Sequence, residues 1–269
     1  MFWVLHMSSE RFRGLPILPS DTYFLSDSDS DRLDFSDCVS LTKLPEDLEV
    51  GFLILSGCTG ITKLPKGLKV DTLDLFGCTG ITELPEDFVV GGLWLDGRTG
   101  ITKLPKGLKV DRQLYFRDCT WITELPEGLG KINDLDLSGC TSLTKLPKGL
   151  KVNEELNLSG CTGITELPKD LEVDILNLSG CTGITELPEG LKVNKELNLS
   201  GCTGITKLPE GLKINTKLNL SGCTGITELP KDLEVDILNL SGCASLTNLP
   251  LESLKINTVK LSRVYRSLC

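Results

Sequence analysis

One frame recurs along nearly the whole of this 269-residue chain, and it constrains the fold more than any other feature. Ten cysteines and one arginine mark it: Cys38, Cys58, Cys78, Arg98, Cys119, Cys140, Cys161, Cys181, Cys202, Cys223 and Cys243, each 20 or 21 residues after the last. Seven positions after each stands a proline preceded by leucine, from Leu44-Pro45 to Leu249-Pro250. Residues 161–181 and 223–243 are identical and 62 positions apart, so the copied unit is three repeats long. The regularity of the C-terminal half therefore reflects copying history and need not report function.

Each unit reads L-x-L-S-G-C-T-G-I-T-x-L-P-x-x-L-x-V. Leu-x-Leu, as in Leu156-Asn157-Leu158, has the period of a short half-buried strand, and Ser-Gly and Thr-Gly end it in a turn. The Leu-Pro pair keeps its neighbourhood extended and removes a backbone donor, which argues against a long helix in the return. A unit this short cannot bury its own leucines, isoleucine and valine; the units must stack, and their strands must form a parallel sheet. With strands about 4.8 Å apart, twelve of them would span roughly 50 Å. Only 5% of the residues are aromatic against 40% apolar overall, so the core is aliphatic.

The frame L-x-x-L-x-L-x-x-C-x-x-L, written here as Val173 to Ile184, resembles the cysteine-containing leucine-rich repeat. The resemblance implies an α/β repeat solenoid: an arc with a parallel concave sheet of about 12 short strands and mostly extended or 3-10 convex segments. It covers residues 32–262, after an N-terminal segment, 1–31, that could serve as a partial cap, and before a tail, 263–269. The short period and the L-P-x-x-L return also resemble repeats of secreted bacterial effectors, some of which carry a ubiquitin-ligase domain. Nothing in this sequence matches such a domain.

A formal net charge of −9 disfavours nucleic acid and anionic membranes as partners. No apolar run is long enough to span a bilayer, and the opening MFWVLHM lacks the basic flank of a signal peptide. The cysteines form no C-x-x-C pair and His6 is the single histidine, so neither a metal site nor any cofactor is expected. They read instead as a buried ladder of small thiols. Stacked thiols would be at risk of crosslinking in an oxidising compartment, which favours a reducing cytosol, or the host cytosol for a secreted effector. The N-x-S acceptors at Asn157, Asn177, Asn198, Asn219 and Asn239 favour a chain that avoids a glycosylating route. Cys269 has no acid or base beside it, and catalysis is not expected. The acidic run from Ser26 lacks the glycine and terminal glutamate of a calcium loop and reads as a solvated linker.

Two positions per strand are expected to face solvent, the residue between the leucines and the one after the second. In the C-terminal repeats these are asparagine and serine columns. Repeats two to five differ, offering Phe52, Ile54, Asp74, Phe76, Trp94, Asp96, Tyr115 and Arg117. Exposed aromatics with arginine have the composition of interface hot spots. The expected function is a non-catalytic protein-protein interaction module that takes its partner on the concave face over repeats two to five. One alternative is the substrate-recognition part of an effector or ubiquitin-ligase-type protein without its catalytic domain. Another is a structural rod that self-associates through thinly capped ends. Arg98, in place of a ladder cysteine, is expected either to swing outward or to pair with Asp96, because an unpaired buried guanidinium costs several kcal/mol.

Overall fold

The computed structural model describes residues 32–246 and 255–261. Expectations for the segment 1–31, including His6 and the acidic run from Ser26, and for Cys269 lie outside the described residues. Twelve strands follow in chain order: β1 Arg32–Asp34, β2 Glu49–Ile54, β3 Lys69–Asp74, β4 Val89–Asp96, β5 Lys109–Arg117, β6 Lys131–Asp136, β7 Lys151–Asn157, β8 Glu172–Asn177, β9 Lys192–Asn198, β10 Lys217–Asn219, β11 Glu234–Asn239 and β12 Lys255–Lys260. They pair in that same order, and the pairs are parallel, as in β2 with β3 and β7 with β8. The protein is a repeat solenoid with one strand per turn. No helix, α or 3-10, occurs among the described residues, so the α part of the expected class is not represented there. The proline in each return and its few residues leave room for a single turn: Leu150 N–H closes on Pro147 O at 3.3 Å around Gly149, whose φ is +69°.

By backbone contact the chain divides into two compact units, Met1–Leu114 and Tyr115–Cys269, with the boundary inside β5. Each unit has the same interior. In the first, Leu53, Leu55, Ile61, Leu73, Leu75 and Ile81 are fully buried; in the second, Leu156, Leu158, Ile164 and their copies are. Burying one such aliphatic side chain contributes about 1.5–3 kcal/mol, and stacking achieves it for most frame leucines among the described residues, Leu68 and Leu104 being half-buried.

The cysteine ladder is present, half-buried at Cys38 and buried from Cys58 onward. Cys58 Sγ lies 2.9 Å from Phe35 O and Cys78 Sγ 2.8 Å from Leu55 O; Cys140, Cys161, Cys181, Cys202 and Cys223 repeat the contact at 2.9 Å. The same carbonyls also accept a backbone N–H: Leu55 O takes Cys58 N at 2.9 Å and Leu137 O takes Cys140 N at 3.1 Å. One lone pair thus closes the turn of its own repeat and the other receives the thiol of the next repeat. This use of both lone pairs explains a cysteine in the frame better than burial alone does. Burial pushes these thiols up to about 12, so they remain protonated and act as donors.

Close approach dictates the glycine of C-T-G-I. A Cβ on Gly80 would overlap the carbonyl oxygens of Thr59 and Ile61 in the preceding repeat.

Candidate functional site

In the first unit, register places Asp34, Ile54, Asp74 and Trp94 side by side on β1 to β4. Beside them, Phe52 lies between Arg32 and Thr72. Phe52 is 41% exposed, which is unusual for a large apolar side chain here, while Ile54, Phe76 and Trp94 are half-buried. Phe52, Ile54 and Trp94, though not Phe76, border a groove of about 310 Å³ whose lining also includes Asp34, Ser56 and Asp74.

Asp74 departs from expectation. Rather than facing solvent freely, it is only 7% exposed, because its strand neighbours on either side are Ile54 and Trp94. Its Oδ1 accepts the Phe76 backbone N–H at 2.9 Å. Asp34, at the same position one repeat pair earlier, accepts Ser36 N–H at 3.0 Å and Ser36 Oγ at 2.6 Å, and its other oxygen holds Arg32 Nη2 at 3.2 Å. Burial raises the Asp34 carboxyl, and the bonds from Ser36 and Arg32 outweigh that, leaving it below the usual carboxylate range.

Asp96 and Arg98 belong to a repeat that is rebuilt locally. Asp96 is half-buried, and its Oδ1 accepts Gly77 N–H and Arg98 N–H, both at 3.1 Å. In the neighbouring repeat Gly57 N–H goes to the Phe76 carbonyl instead. The Arg98 side chain is exposed and Thr99 is buried in its stead, with Thr99 Oγ1 accepting Ile101 N–H at 3.3 Å. Of the two expectations for Arg98, the outward swing describes its side chain; the pairing with Asp96 is made by its backbone.

In the second unit, Tyr115 and Arg117 are engaged with their own neighbours. Arg117 lies 5.4 Å from the centre of the Tyr115 ring, and its Nε donates to Asp136 Oδ2 at 2.8 Å. Asp136 is 8% exposed and its Oδ1 accepts Ser138 N–H at 2.9 Å. Burial, then the carboxylates Asp134 and Asp136, push Glu155 up, against the pull of Arg117. Burial and Asp134 likewise raise Tyr115. Asp136 and Ser56 were not among the residues singled out from the sequence. The signal for Asp136 was present: an acid 19 positions after an arginine is one strand over in a 20- or 21-residue frame.

The asparagine columns close their own turns. Asn157 Oδ1 accepts Ser159 N–H and Asn177 Oδ1 accepts Ser179 N–H, each at 3.1 Å. Asn219 Nδ2 also reaches Asn198 Oδ1 at 3.0 Å. No group of His, Cys, Asp and Glu able to hold a metal ion occurs among the described residues, and among them no helix is long and apolar enough to cross a membrane. No family model matches the chain, and no curated protein sequence matches it.

Proposed function

We propose that this repeat solenoid is a leucine-rich-repeat interaction module that binds another protein, without catalysis, on the sheet face of its early repeats. In a leucine-rich-repeat arrangement that face is the concave one. The observation that carries the reading is the contrast between repeats at equivalent positions. Where repeats seven to eleven have asparagine and serine bonded into their own turns, repeats two to four have Phe52, Ile54 and Trp94 around a groove. Anchoring aromatics in a rigid groove bind with little ordering cost. Arg117 is already held by Asp136 and lies over the Tyr115 ring, so the proposed contact surface is that of repeats two to four. A partner in the reducing cytosol suits a ladder of free thiols that must stay protonated to donate. The likeness to secreted bacterial effectors makes a host protein the partner by analogy of repeat type.

The test is capture of partners from cell lysate under reducing conditions, comparing the native chain with a Phe52→Ala/Trp94→Ala variant of unchanged circular dichroism. Selective loss of a partner supports the reading; equal retention sinks the assignment of this surface.

A second reading, end-to-end self-association, is favoured by β12. Ile256 and Val259 are half-exposed, whereas their register partners on β11, Val235 and Leu238, are 2% and 0% exposed. Sedimentation showing size growth with concentration, suppressed by Val259→Lys, would support it.

A further inference from the structure

Three aspartates share one position in the frame and one local geometry. The Oδ1 of Asp34, Asp74 and Asp136 accepts the backbone N–H two residues on, at 3.0, 2.9 and 2.9 Å. Their second oxygens differ. Asp34 Oδ2 holds Arg32 at 3.2 Å, and Asp136 Oδ2 holds Arg117 at 2.8 Å. Asp74 Oδ2 meets no cation among the described residues, although Asp74 is as buried as Asp136. A carboxylate lodged between Ile54 and Trp94 with one backbone bond is an incompletely compensated charge.

The second unit displays what completes such a site. Arg117 comes from the strand before Asp136, reaches across to its Oδ2, and lies against Tyr115, which holds in its own repeat the frame position that Asp136 holds in the next. The residue standing to Asp74 as Arg117 stands to Asp136 is Ser56. Its short side chain cannot reach, and the groove bordered by Ser56, Asp74, Phe52 and Trp94 lies there instead.

We propose that this groove takes an arginine side chain from the partner protein, its guanidinium on Asp74 Oδ2 and against the aromatic walls of Phe52 and Trp94. This rests on the reading of the surface as a partner-binding face and names the chemistry of the anchor. Arginine suits the place better than lysine because its planar donors meet a carboxylate and an aromatic face together. The acidic balance of the chain, −9 overall, favours approach of a basic segment.

The probe is the blocked tripeptide acetyl-Gly-Arg-Gly-amide, with citrulline replacing arginine as a neutral control of similar shape. It is titrated into the full chain at millimolar concentrations while the indole N–H resonance of Trp94 is followed by NMR. The expected result is a saturable shift with the arginine peptide and binding weaker by about tenfold or more with citrulline, as for loss of a charge-assisted bond. Asp74→Asn should weaken the arginine peptide by a similar factor. Ser56→Arg, which keeps Asp74 and supplies an occupant within the chain, should abolish binding with circular dichroism unchanged. Equal binding of the two peptides, no saturable shift, or full binding to Ser56→Arg overturns the proposal. If the peptide fails while Phe52→Ala/Trp94→Ala still loses a captured protein, the anchor is wrong and the surface stands. If the peptide binds as expected and no protein is lost by that variant, the cation site stands and the partner reading falls.

Discussion

At the scale of single residues, the frame tolerates exchange only where the neighbouring repeat leaves room. Asp118 adopts a φ of +55° at a position where most repeats have glycine, and the next repeat answers with Gly139 at +74°. A Cβ on Gly139 would overlap the Asp118 carboxylate. The same order, aspartate then glycine, holds for Asp37 with Gly57 and Asp47 with Gly67. Gly139→Ala should therefore cost about 1–3 kcal/mol, from left-handed strain and from the collision together. Adding Asp118→Gly removes the collision but not the strain, so urea unfolding of the double variant should recover part of the loss. Strict additivity in that double-mutant cycle would show that the two residues do not meet. Cys161→Ala tests the other recurrent contact. It removes a buried sulfur and leaves Leu137 O with one donor instead of two, for an expected cost of about 1–2 kcal/mol in the same measurement. A Cys161→Ser variant that was more stable than the native chain would dismiss the thiol as a fitted donor.

Within single repeats, what could be read in advance was whatever the frame repeats. The strand between paired leucines, the immediate turn, the parallel stacking and the buried cysteines all follow from period, proline and turn chemistry. What could not be read was how a repeat adjusts when one of its letters changes. Arg98 illustrates the limit. The sequence aligns it with the ladder cysteines, yet the turn shifts by one residue so that Thr99 points inward, and Asp96 supplies the bonds that a backbone carbonyl supplies elsewhere. The driving force is the cost of burying a guanidinium, which exceeds that of rearranging a turn. Asp74 shows the same limit on the sheet face: alternation put it outward, and the bulk of Ile54 and Trp94 beside it decided its burial. If the shift in repeat four is a property of that turn, Arg98→Cys should place its thiol in solvent. It should then react with a maleimide within the dead time in which Cys78, fully buried, does not. Protection equal to that of Cys78 would mean that the arginine alone displaced the turn and that cysteine restores the ladder.

Over the whole molecule, the ladder makes stability a function of pH, and unequally for the two units. A thiol raised to about 12 in the folded state, from an ordinary value of about 9, contributes stability that is complete below pH 9 and is lost as pH rises toward 12. Between those limits the unfolded chain has released a proton that the folded chain still holds, so each such thiol lowers unfolding free energy by up to about 1.4 kcal/mol per pH unit. The first unit contains two raised to about 12, Cys58 and Cys78; the second contains five, Cys140, Cys161, Cys181, Cys202 and Cys223, and burial raises Cys243 there as well. The thiols raised to about 12 should accordingly contribute an alkaline slope of up to about 3 kcal/mol per pH unit in the first and up to about 7 in the second. Trp94 and Trp121 lie one in each unit, and variants retaining a single tryptophan report each separately. Urea midpoints measured from pH 8 to pH 10.5 under reducing conditions should stay level up to about pH 9 and then fall, more steeply for the Trp121 signal. Parallel declines would mean that the two units unfold as one; midpoints that stay level to pH 10.5 would mean that the buried thiols ionise in the folded protein, and that donation to the carbonyl ladder is not what holds adjacent repeats together.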